Sequence, residues 1–117
     1  MTSALYELHF DLLMLATLYI PDRAPVLVSV DGLPLPDPET GFAHVTEEVA
    51  TLLGCAKQLV DVMDSSSSHV TYTIFDYDGD DANLPATEAL SHLSRYPFDL
   101  TDADHWLYGP VLIVTGG

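Results

Sequence analysis

The chain predicts an α+β fold, a single mixed or antiparallel sheet with helices on one face. Three observations lead there. Its 117 residues suit one domain, 1–117. At 48% hydrophobic it can build a real core, because a chain of this size buries roughly two-thirds of its unfolded surface. Finally, short β-branched runs alternate with stretches of helical period in the order (α)ββαβαβ, with no internal repeat.

The first segment, Ser3 to Thr17, fits two patterns. Leu5, Leu8, Leu12, Leu15 and Tyr19 recur every three or four residues, as in an amphipathic helix. Tyr6, Leu8, Phe10 and Leu12 also alternate with Glu7, His9 and Asp11, as in a strand. A helix changing to a strand near Leu18 is the reading adopted, with residues 1–17 as an N-terminal extension. Leu18 to Ile20 and Val26 to Val30 then form a β-hairpin, joined by the turn residues Pro21 to Pro25.

Prolines make Asp31 to Gly41 a loop, since each removes a ladder donor. Thr46 is the N-cap of a helix whose first turn carries Glu47 and Glu48, favoured there by the helix dipole. Val49, Leu52, Leu53, Ala56, Leu59, Val60 and Met63 form its apolar face. Gly54 weakens it by about 1 kcal/mol, which suggests a closely packed neighbouring backbone. Ser65 to Ser68 is a polar turn and Val70 to Tyr77 a strand. Asp76 to Asn83 is an acidic loop, and Leu84-Pro85 opens a second helix that runs to Ser94, before Pro97. Thr101 to Trp106 is a turn or short helix, and Val111 to Thr115 closes the chain as an apolar strand.

Charge excludes several functions. Three Lys and Arg against 18 Asp and Glu give a net charge of −15. Phosphate-rich partners need a cationic surface, so neither nucleic acid nor an anionic membrane is a direct partner. The uncharged apolar run Leu12 to Ile20 is about half of what a spanning helix needs, and Met1 to Asp11 lacks the basic residues of a signal peptide. The expected location is the cytoplasm, within a host cell. Cys55 stands alone, so there is no disulfide framework and no Cys-based zinc cluster. Its thiol reads as a core residue.

No motif argues for an enzyme. An EF-hand loop beginning at Asp76 would need Gly at its sixth position and Glu at its twelfth, where Asp81 and Thr87 stand. A solvated acidic turn is the expectation, with no metal and no cofactor. His9, His44, His69, His92 and His105 show no ligand spacing, and Asp102, Asp104 and His105 alone do not make a hydrolase. Serines 65 to 68 lack a nucleophile elbow. Trp106 and Tyr108 read as core anchors.

Two readings of the acidity remain. In one, the charge is a solubility device of a salt-adapted structural or accessory domain. In the other, carboxylates imitate the phosphates of DNA. Alternate residues of a strand lie about 6.6 Å apart on one face, near the spacing of successive phosphates. Asp76, Asp78 and Asp80 satisfy that if their strand runs on. Asp81, Asp99, Asp102, Asp104, Asp61 and Asp64 complete the candidate partner-binding set. The expected partner is the basic groove of a DNA-binding protein, with self-association into a homodimer left open.

The stretch Asp78-Gly79, Asn83-Leu84-Pro85-Ala86-Thr87-Glu88-Ala89-Leu90 and the closing Tyr108-Gly109-Pro110-Val111-Leu112-Ile113-Val114 resemble a family of small uncharacterised phage and plasmid domains. The resemblance covers Leu18 to Gly116, with Thr87 where Asn is common and Leu33 to Pro38 as an insertion. It supplies no catalytic residues. What it implies is a mobile-element origin, which favours a counter-defence protein: a non-enzymatic DNA mimic that inhibits a restriction or repair enzyme.

Overall fold

Proline, aspartate and arginine between two β-branched runs fold back as anticipated. Strand β1 (Leu15–Tyr19) pairs antiparallel with β2 (Val26–Val28), Ala16 opposite Val28 and Leu18 opposite Val26. The computed structural model describes residues 14–94 and 99–116, so the expectation for Ser3 to Leu13 lies outside the described residues. β1 itself starts earlier than the expected change near Leu18.

Helix α1 (Glu47–Leu53) begins where its cap predicts. The Thr46 hydroxyl accepts the Val49 N–H at 3.4 Å, with Glu47 and Glu48 in the first turn. It ends far short of the expected Met63. Gly54 adopts φ 78° and donates to the carbonyls of Ala50 and Thr51, which closes the helix. Nothing lies within 4 Å of where its Cβ would be. The glycine is required by its left-handed backbone and not, as expected, by a close neighbour.

Beyond Gly54, a 3-10 turn at Lys57–Leu59 leads into β3 (Val60–Ser65), a strand the helical reading had absorbed. β3 forms a hairpin with β4 (His69–Ile74), bulged between Val62 and Asp64. β4 stops before the expected Tyr77. Helix α2 (Leu84–Leu93), a 3-10 turn at Ala103–His105 and β5 (Val111–Thr115) complete the order ββαββαβ. Pro97 and Arg95 lie outside the described residues.

The sheet has the order β2-β1-β5-β4-β3, antiparallel throughout. The last strand is therefore the central one. Leu112 and Val114 pack with Ala16, Val70, Tyr72, and Val49 and Leu53 of α1. Val111 and Ile113, on the other face, pack with Ala86 and Leu90 of α2 and with Leu107. The α+β single sheet stands, but the helices cover both faces instead of one. The uninterrupted run Val-Leu-Ile-Val is the physical reason, because a strand with no polar side needs cover on both sides. Among the described residues no helix is long and apolar enough to cross a membrane.

Candidate functional site

Asn83 is the residue that assembles one end of the sheet. Its side chain is buried, and Nδ2 donates to the carbonyls of Tyr19 (3.0 Å) and Gly109 (2.7 Å) while Oδ1 caps α2 at the Ala86 N–H. One turn on, the Thr87 hydroxyl donates to the Asn83 carbonyl and accepts the Leu107 N–H, both at 2.9 Å. Ala82 bridges Tyr108, Asn83 N–H donates to Leu107, and Gly109 N–H donates to the Asp81 carbonyl. The segment after β4 and the segment before β5, distant in sequence, are thereby laced together.

Those two segments carry most of the candidate acids. Asp76, Asp78, Asp80 and Asp81 follow β4, and Asp99, Asp102 and Asp104 precede β5. Both groups lie at one end of the sheet, since Tyr72 near the end of β4 faces Leu112 near the start of β5. Asp61, opposite Thr73, sits on β3 towards the same end. Asp64 is not part of this group and lies towards the opposite end, by the Ser66–Ser68 turn. The condition for phosphate-like alternation is not met: β4 ends at Ile74, and Asp76 takes φ 54° in the turn that follows. Any spacing of Asp76, Asp78 and Asp80 is a property of the loop.

That loop is held by Tyr77. A Cβ on Gly79 would come within 2.5 Å of the Tyr77 ring, and one on Gly109 within 2.8 Å, so the ring lies against both glycines. The phenol donates to Asp81 Oδ2 at 3.0 Å. This hydrogen bond, then desolvation and the charges of Asp81, Asp78 and Asp80, push the phenol above its ordinary pKa. The second segment has its own braces. Asp99 Oδ1 accepts the hydroxyl of Thr101 and, secondarily, its N–H, which hold the Asp99 carboxyl below its ordinary value. Asp99 N–H donates to His105 Nδ1, and Asp102 caps the 3-10 turn through the Asp104 N–H. Trp106 Nε1 donates to the Leu100 carbonyl, so Trp106 fastens this segment instead of anchoring the sheet core.

By contrast, the carboxylates of Asp76, Asp78, Asp80 and Asp104 have no hydrogen-bond or ion-pair partner among the described residues. Arg23 and Lys57 border the same end without forming an ion pair with them. Among the described residues no three His, Cys, Asp or Glu side chains gather as a metal-binding group. Among the described residues the arrangement offers unpaired carboxylates from two segments at one sheet end, on a braced frame.

The turn beside Asp64 holds a constellation that sequence reasoning missed. His69 Nε2 lies 2.9 Å from Asp64 Oδ2, and Nδ1 lies 2.9 Å from Ser66 Oγ. A carboxylate only accepts, so in the neutral ring Nε2 carries the proton and Nδ1 accepts the Ser66 hydroxyl. Ser66 Oγ also accepts the Ser68 N–H, and Ser66 N–H donates to the His69 carbonyl, so the chain fixes the hairpin turn. It was hidden because Asp64 comes within reach of His69, diagonally, only once β3 is a strand paired with β4 and Asp64 stands opposite Thr71. Thr71, paired with Asp64 across the strands and two residues after His69 on β4, is fully buried, and its hydroxyl has no partner. Compared with family models, curated proteins and solved structures, the chain matches none.

Proposed function

We propose that this chain is a non-enzymatic acidic binding protein that occupies the cationic groove of a nucleic-acid-handling protein in place of DNA, as an inhibitor of a restriction or repair enzyme would. The observation that carries the reading is the convergence of two acidic segments on one sheet end, braced through Asn83, Thr87 and Tyr77, with several carboxylates unpaired among the described residues. A rigid charged surface binds a groove without the ordering cost of a mobile one. Its charge spacing comes from two neighbouring loops and not from a strand.

The test uses captured host proteins, probed with and without duplex DNA. The target should bind this chain and DNA in mutual exclusion, with affinity falling steeply as salt rises. Asp78→Asn with Asp80→Asn removes charge without touching a brace, and should weaken binding by about tenfold, mainly through slower association. Glu39→Gln with Glu88→Gln removes equal charge elsewhere and should have less effect. Equal losses from both pairs would mean that only total charge matters. A target that binds DNA and this chain together would overturn the reading.

A further inference from the structure

The two edges of the sheet are built differently. β3 carries the bulge at Met63 and the acids Asp61 and Asp64, features that protect an edge from pairing with another chain. β2 carries none. Its Val26 and Leu27 are 55% and 66% exposed, and among the described residues nothing pairs with its outer side. Among the described residues its safeguards are its shortness and the Pro25 that precedes it.

Beside that edge, between the end of β2 and helix α1, lies a cavity of about 390 Å³. The half-buried Val28 and Leu52 contribute to its mostly apolar wall, and the exposed residues Asp31, Glu47 and Glu48 border it. An open strand edge next to a mostly apolar cavity bordered by three acids has the parts for strand addition. Main-chain hydrogen bonds supply affinity there, and alternate side chains supply selectivity. The two sides of β2 also differ in chemistry. Val28 pairs with Ala16, which packs on the α1 face, whereas Leu27 pairs with Thr17 and so lies on the opposite face. A strand laid against β2 therefore meets carboxylates on one face and bare leucine on the other.

We propose that the β2 edge and this cavity form a docking groove for an extended basic peptide, which adds as a sixth strand, covers Leu27 with an apolar side chain and sets a Lys or Arg among Asp31, Glu47 and Glu48. A second copy of the chain is a poor occupant. It would bring another −15 and a second set of these acids to the same edge.

The probe is a fluorescein-labelled acetyl-Lys-Val-Lys-Val-Lys-Val-amide, titrated with the whole chain by fluorescence anisotropy. Binding should saturate, and replacing Lys by Glu in the peptide should abolish it. Two further peptides carry N-methyl groups, one on every Val amide and one on every Lys amide. One should lose binding and the other keep it, because only one set of amides faces β2. Glu47→Gln with Glu48→Gln should weaken binding by about five- to tenfold, as expected for two partly exposed ion pairs. Glu39→Gln with Glu88→Gln should stay within about twofold. Equal binding by both N-methylated peptides would reduce the interaction to bulk charge and overturn the proposal, as would failure of the parent peptide to bind. A dimer in sedimentation that Leu27→Lys converts to monomer would show that a second copy takes the edge.

Discussion

Two threonines, both fully buried, show how a hydroxyl's partners decide its effect. Thr87 spends its hydroxyl twice, on the Asn83 carbonyl and the Leu107 N–H. Thr71, on β4 beneath the α2 side of the sheet, has no partner. Valine has nearly the same shape as threonine and suits a strand equally well. Thr87→Val leaves a buried N–H unpaired and should cost about 1–3 kcal/mol, whereas Thr71→Val removes an unsatisfied group and should stabilise by about 1 kcal/mol. Urea titration of both variants measures the pair. Two changes of the same sign would show that shape and not hydrogen bonding governs these sites. Neither role was legible in the sequence, where Thr71 is one of several strand residues and Thr87 one of several helix residues.

Elements were legible where local signals agreed with tertiary demands. The hairpin turn, the Thr46 cap, the proline-opened second helix and the closing apolar strand all stand as the residues imply. β3 was not legible, because Leu59, Val60 and Met63 continue the helical spacing of Val49 and Leu52. Only Gly54, read by its left-handed conformation, marks the break. The acidic loop was visible as acidic, but not its brace, since the ring of Tyr77 meets Gly109 across more than thirty residues of chain. That brace has a pH signature. A phenol whose folded pKa is raised contributes stability that is fully present below its unfolded value and lost as pH rises through the folded one. Burial raises Tyr19 and Tyr72 in the same direction, so the contribution of Tyr77 is read from the difference between the native chain and a variant. Tyr77→Phe should therefore melt lower than the native chain near neutral pH, with the difference shrinking above about pH 10. A constant difference across that range would remove the Asp81 hydrogen bond as its cause.

For the whole molecule, placing the last strand at the centre of the sheet sets where the charge collects. With β5 between β1 and β4, the segments flanking α2 lie at one end of the sheet, and those segments hold the acids. Folding thus concentrates like charges that the unfolded chain keeps apart. The repulsion should be felt most at low ionic strength, where the Debye length is about 30 Å at 0.01 M, and least at 1 M, where it is about 3 Å. Melting temperature should rise between these salt concentrations. The rise should be smaller for Asp78→Asn with Asp80→Asn than for Glu39→Gln with Glu88→Gln, if clustering and not total charge is responsible. A uniform reduction in both variants would describe an evenly acidic, salt-adapted surface. An unequal one would locate the stored repulsion at the sheet end, where a cationic groove would relieve it on binding.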